Sequence, residues 1–304
     1  MLRKKALKRI SLTTLVLFIM LVTFSFDMLS QDKNTNLDEV EYVSNLNTTH
    51  IYLLNKDNYL VKVDILINPE DVSKQALEIL KNLYTNNKKY NNLKGLIPSN
   101  TKINKIDFVN NTLIIDFSSD LLKVNKDLEE KVIESIVYSL LEIKGVNNIQ
   151  IKIDGKIVNK LEKSNITLPD ILDNSLGINK TFAINSLKDI QSVVLYYVFN
   201  NDNSDYYVPV TKYINSREDK VKIIIDSLKG SFTSSTNLKS YLNYKDIKDY
   251  SLDNDILTIT FNSLNDENLE SVTYTLACSV FDSTDIKKVI FEVKDKIIAV
   301  RLNN

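Results

Sequence analysis

Leu113-Ile114-Ile115-Asp116-Phe117 and, 144 residues later, Leu257-Thr258-Ile259-Thr260-Phe261 state one pattern twice. In each, apolar side chains alternate with polar or smaller ones, the period of a half-buried strand. The correspondence extends outward. Glu130-Lys131-Val132-Ile133 is answered by Glu270-Ser271-Val272-Thr273 at a spacing of 140. Ile149, Ile151 and Ile153, followed by Asp154-Gly155 and Ile157, are answered by Val289, Phe291 and Val293, followed by Lys294-Asp295 and Ile297. Upstream, Leu60-Val61-Lys62-Val63 matches Tyr207-Val208-Pro209-Val210. Spacings that drift by a few residues are what variable loops between constant elements produce. The chain therefore reads as two copies of one module, residues 48–162 and 190–304, joined by a linker at 163–189.

The periods of one copy predict its elements. Ile51 and Leu53, then Leu60, Val61, Val63, Ile65 and Ile67, give two strands around the turn residues Asn55-Lys56-Asp57-Asn58. A helix is expected to start at Asn68 or Pro69, with the stripe Val72, Ala76, Ile79, Leu80 and Leu83. Ile103, Ile106 and Phe108 lead into Asn110-Asn111, a pair that tolerates positive φ, and the chain returns through Leu113, Ile115 and Phe117. A second helix, about Asp127 to Ile143, carries Val132, Ile133, Ile136, Val137, Leu140 and Leu141. A last hairpin turns at Asp154-Gly155. The order is ββαββαββ. The second copy is expected to repeat it with strands near 193–199, 207–214, 246–251, 256–261, 287–293 and 296–302, and helices at 216–229 and 266–281. The fold class is α+β, each module a mixed sheet with two helices on one face.

Three runs in the first copy resemble the GerM domain family: Leu96-Ile97-Pro98-Ser99-Asn100-Thr101-Lys102-Ile103, Val109 to Ser118, and Val146-Asn147-Asn148-Ile149-Gln150-Ile151-Lys152-Ile153-Asp154-Gly155. Leu176-Gly177-Ile178-Asn179 is similar to the segment that connects such domains in tandem. The likeness is weaker in the second copy, where the Leu-Ile-Pro and Asp-Gly turns are missing. It implies an exported protein of Gram-positive bacteria with a role in sporulation or spore germination, and self-association or contact with other sporulation membrane proteins.

The N-terminus reads as an address. Arg3, Lys4, Lys5, Lys8 and Arg9 precede an uncharged run from Ile10 to Phe26. Seventeen residues of helix reach roughly 25 Å, which basic side chains reaching toward the interface extend to a bilayer core. The basic cluster stays in the cytoplasm, so residues 1–29 are expected to form a basic stub and signal-anchor, with the membrane crossed by 10–26 and the rest outside. A cleaved signal is the alternative, although Thr23-Phe24-Ser25 makes a poor exit site. Residues 30–47, rich in Asn, Asp, Gln and Thr, read as a tether. The single cysteine of the chain, Cys278, lies far beyond the apolar run, which rules out attachment of a lipid to a cysteine there.

Charge narrows the partners. The whole chain holds 38 basic and 39 acidic residues. A near-balance of this kind does not suit a nucleic-acid binder. Without the five basic residues of the stub, 33 basic residues face 39 acidic ones, so the exported part has no attraction to anionic lipid or wall polymer. One His and one Cys do not build a zinc site.

No residue is assigned a catalytic, cofactor-binding or metal-binding role. His50 opens a strand and reads as an edge residue in a hydrogen bond. Asp116 is out of step with Leu113, Ile115 and Phe117, and Thr260 replaces it in the second copy. Ser118-Ser119-Asp120 sit at a strand end, where such side chains bond their own backbone. Glu129, Glu130 and Glu134 read as a solvated helix face. Asp202 and Asp205 lack the spacing and glycine of a calcium loop. Cys278 falls in an apolar helical pattern and reads as buried and inert. Tyrosines crowd the second copy (Tyr196, Tyr197, Tyr206, Tyr207, Tyr213, Tyr241, Tyr244, Tyr250), which fits either an interface or half-buried strands. The expectation is a non-enzymatic protein that works through its surfaces, with recognition of a small molecule or wall fragment as the alternative. A hydrolase acting on peptidoglycan needs a carboxylate pair at a defined separation, and the mismatch of Asp116 with Thr260 does not supply one in both copies.

Overall fold

The turns set the first hairpin of each copy. A computed structural model describes residues 48–67, 71–87, 89–90, 92–201, 204–229, 237–243 and 246–303. Strands β1 (Thr48–Leu54) and β2 (Leu60–Leu66) pair antiparallel around Asn55, whose side-chain oxygen accepts from the Asp57 and Tyr59 amides. Helix α1 (Val72–Asn82) carries the expected stripe but starts later than the expected 68–69, because the extended Asp71 caps it and accepts from the Lys74 amide. Strands β3 (Ile103–Val109) and β4 (Thr112–Phe117) turn through Asn110 and Asn111 at φ 49° and 61°. Helix α2 (Lys126–Leu141) follows, then β5 (Asn148–Ile153), turning through Asp154-Gly155 into the short β6 (Lys156–Ile157).

The second copy repeats the order. It comprises β10 (Ile190–Asn201), β11 (Ser204–Asn215), α3 (Lys220–Leu228), β13 (Ile247–Asp253), β14 (Ile256–Phe261), α4 (Leu269–Phe281), β15 (Lys288–Val293) and β16 (Lys296–Leu302). Between the copies lie β7 (Lys160–Leu161), β8 (Ile166–Thr167) and β9 (Thr181–Ala183), and β12 (Leu238–Lys239) follows α3. Each copy has its own four-stranded sheet, β3-β4-β5-β6 and β13-β14-β15-β16, with the same parallel middle pair and antiparallel flanks.

The structure departs from the sequence reading in how the strands are shared. The first hairpins leave their modules and join each other in one sheet ordered β1-β2-β11-β10-β12, with β2 meeting β11 at Lys62 and Tyr207. Neither hairpin is a stable sheet alone, and merging them buries both apolar faces. The core is accordingly continuous across the copies, with Ile51, Leu53 and Ile136 in one cluster with Leu195, Val210 and Leu276.

The segment expected to be a linker, 163–189, is built into this body. Leu168, Leu172 and Ile178 are buried, Leu172 bridges to Ile149, and β9 pairs in parallel with β11. Asn179 is the clasp. Its side chain accepts from the Leu60 amide and donates to the Leu60 and Pro209 carbonyls, each at 2.8 to 2.9 Å. One buried amide thus ties β2 to β11.

The returning linker also corrects the reading of α2. Glu129 and Glu134 are buried, each 1% exposed, rather than on a solvated face. Glu129 accepts from the Lys163 and Ser164 amides and the Ser164 hydroxyl, while Glu134 pairs with Lys131 and Lys180 and accepts from the Asn179 amide. Buried carboxylates survive only with such partners. Periodicity within α2 shows the face, not what folds back over it.

Candidate functional site

β1, and β10 over the part that the two-residue β12 does not reach, carry backbone groups that need covering, and the copies cover them alike. On β1, the Tyr52 amide donates to Ser139 Oγ of α2 at 2.9 Å, and Ser135 Oγ donates to the Tyr52 carbonyl at 2.6 Å. On β10, the Tyr196 amide donates to Ser279 Oγ of α4 at 2.9 Å. One turn on, the helices end in acids. Glu142 caps α2 and accepts from the Tyr52 hydroxyl at 2.8 Å; Asp282 caps α4 and accepts from the Tyr196 hydroxyl at 2.6 Å. Tyr52–Ser139–Glu142 and Tyr196–Ser279–Asp282 are one constellation made twice.

Between these twins lies a cleft of about 680 Å³. His50, Tyr52, Lys62, Tyr138 and Glu142 line it from the first copy, Val194, Tyr274, Asp282, Leu302 and Asn303 from the second, and Asn174 from the connecting segment. The twofold likeness breaks at one point. Lys62 stands opposite Tyr52 on β2, whereas Pro209 stands opposite Tyr196 on β11. The Lys62 ammonium lies 3.5 Å from Glu142 and 6.0 Å from the centre of the Tyr196 ring. Burial works against its charge, but Glu142 above all, with Cys278 and Asp282, holds its pKa above the ordinary lysine value.

Asp282 is placed differently. Solvent reaches it through the cleft, yet protein crowds it enough that burial raises its carboxyl above the ordinary aspartate range. The Tyr196 hydroxyl and Lys62 only partly offset this. It has no ion-pair partner among the described residues. Tyr207 and Tyr274 stack with ring centres 4.0 Å apart, and burial pushes the neighbouring Cys278 thiol up to about 11. A thiol so raised is protonated at neutral pH and a poor nucleophile.

The residues weighed from sequence fall elsewhere, apart from His50 at the edge of this cleft. His50 Nδ1 lies 2.7 Å from Asp64, whose carboxyl that bond holds below the ordinary value. Asp116 accepts from the Gly155 amide and so braces the β5–β6 turn. Ser118 accepts from the Lys102 amide and lies 3.3 Å from Asp120. Asp205 accepts from Asn200, and Asp202 lies outside the described residues. Among the tyrosines, Tyr196 and Tyr197 are buried strand residues, Tyr213 stacks on Phe182, and Tyr244 lies outside the described residues. Glu142 and Asp282 were not singled out from sequence. The available signal was an acid at the end of each apolar helical stripe, 140 residues apart, where the helix dipole favours the opposite charge.

Comparison with known proteins fits this duplicated architecture. Residues 50–159 match the Germane family model, described as "Sporulation and spore germination". The first copy is thus similar to the Germane domain over almost its whole length. The chain is 27% identical over 203 residues to the spore germination protein GerM of Bacillus subtilis (strain 168), an alignment that covers 66% of this chain. This chain spans only 56% of that relative's length. The fold is similar to the tandem GerMN domains of the sporulation protein GerM from Bacillus subtilis, with a TM-score of 0.72 and 23% identity, over 83% of this chain and 92% of that one. That likeness in fold takes in the second copy, beyond the residues that the family model matches. Among the described residues no helix is long and apolar enough to cross a membrane; the anchor expected at 10–26 lies outside them.

Proposed function

We propose that this GerM-like chain is a membrane-anchored, extracytoplasmic and non-enzymatic component of sporulation or spore germination that acts by assembly. The anchor is residues 10–26, and the partner is a second copy or another sporulation membrane protein. The observation that carries the reading is an asymmetry between otherwise equal modules. The first copy ends its sheet with the two-residue β6, but the second ends with the seven-residue β16, an outer strand whose Ile297, Val300 and Leu302 are 61%, 44% and 61% exposed. An apolar outer strand with open backbone groups invites another strand. Sedimentation of the full chain in detergent should show self-association that Ile297→Lys abolishes. A monomer at high concentration, together with empty pull-downs from sporulating cells, would sink the reading.

A second reading is favoured by the cleft. A concave site between the copies, lined by tyrosines and a few converging polar groups, suits a small ligand or wall fragment. Binding rather than hydrolysis is supported by how the acids are engaged, Glu142 with Tyr52 and Lys62, and Asp282 with Tyr196. Incubation of the chain with spore peptidoglycan is expected to release no reducing ends.

A further inference from the structure

The acids at the ends of α2 and α4 sit where helix physics disfavours them. Each meets the negative end of its helix dipole, which disfavours a negative charge. Carboxylates kept at unfavourable positions in both copies point to a use. The copies then assign them different partners. Glu142 lies within ion-pair distance of Lys62, while Asp282 faces the same cleft with a phenol and feels Lys62 only from beyond that distance. The cleft therefore presents two carboxylates and one ammonium, whose donors are not exhausted by Glu142, with the tyrosines Tyr52, Tyr138 and Tyr274 among its lining. Its occupant is expected to carry the complementary charges: an ammonium group for Asp282 and a carboxylate for Lys62. The ring of Tyr274, which lines the cleft, would add to the attraction for a cation.

We propose that the cleft binds an α-ammonium carboxylate, either a free amino acid or the amino acid end of a wall peptide. The proposal rests on the cleft reading and not on assembly through β16, although Leu302 of that strand lines the cleft. Lys62 holds the ligand carboxylate and Asp282 the ligand ammonium. The ligand orientation is fixed because Pro209 occupies the second copy's counterpart of Lys62. A neutral sugar leaves Asp282 unmatched, and a simple anion leaves it opposed, so neither fits as well.

The test is thermal melting and calorimetric titration of the full chain in detergent. The probes are single amino acids including diaminopimelate, their N-acetyl and amide derivatives, a disaccharide-peptide from wall digestion, and N-acetylglucosamine. At least one zwitterion should raise the melting temperature, and blocking either its amine or its carboxyl should weaken binding at least tenfold. Asp282→Asn preserves the Tyr196 hydrogen bond and should abolish binding without lowering the melting temperature of the free chain; Lys62→Met should abolish it independently. A free diaminopimelate that binds better than the disaccharide-peptide identifies a soluble ligand, and the reverse order a wall ligand. If only N-acetylglucosamine binds, the ligand class is wrong and the cleft reading stands. If no probe binds at millimolar concentration, both are overturned.

Discussion

The two copies keep the same fold and differ in how each turn and edge is secured. In the first, the β5–β6 hairpin turns through Asp154-Gly155, and Asp116 reaches over to accept from the Gly155 amide. In the second, Lys294 and Asp295 make the corresponding turn at φ 50° and 61° without a glycine, and Thr260 replaces the bracing acid. By contrast, the Tyr–Ser–acid constellation persists in both copies with matching hydrogen-bond lengths to serine. The copies thus differ at their exposed turns and, on the shared sheet, at Lys62 against Pro209.

The largest expected effect breaks the comparison at its centre. Asn179→Ala removes three buried hydrogen bonds between β2, β11 and the connecting segment, and should cost about 3 kcal/mol or more. Urea unfolding should remain a single transition, because the sheet makes both copies one cooperative unit. Two separated transitions would show that the copies are stable apart.

Ser139→Ala and Ser279→Ala sharpen the twin relation. Each strands a buried tyrosine amide and should destabilise by about 1–3 kcal/mol, with the two losses similar. A tenfold difference in their unfolding constants would mean that the equivalence is geometric only.

The turns give a smaller effect of opposite sign. Replacing Lys294-Asp295 by Asn-Gly should stabilise the chain by about 1 kcal/mol, since both positions need positive φ and the new pair favours the turn. The reverse change at Asp154-Gly155 should destabilise by at least as much, because it also brings a second carboxylate next to Asp116, which bonds the amide at 155.

The smallest effect is on pH. The Asp282 carboxyl titrates above the ordinary value of 3.8 in the folded chain, so the folded state binds that proton more tightly. Its stabilising contribution is complete below pH 3.8 and is lost as pH rises through the folded value. Asp282→Asn should flatten that part of the melting-temperature profile.

The repeat, the element order, the helical stripes and the Asn110-Asn111 and Asp154-Gly155 turns were legible because each is encoded within a few residues. The shared sheet was not. Leu60 to Leu66 alternates in the same way whether its neighbour is β3 or β11, so periodicity cannot name the partner strand. Glu129 and Glu134 were misread for the same reason, since the groups that neutralise them arrive from residues 163–180. The cleft was hidden more deeply: it needs Lys62, Glu142 and Asp282 to be seen at once, and only the spacing of 140 between the two acids hinted at it.

The seam between β2 and β11 makes half a chain an incomplete object. Cut after the first copy, β2 would keep its hydrogen-bonding row on one side and lose Asn179 with it, and the nearest surface able to satisfy that row is the same strand of another severed half. Two such halves would pair antiparallel and rebuild the seam with twofold symmetry, placing a Lys62 on each side where the intact chain has Lys62 and Pro209.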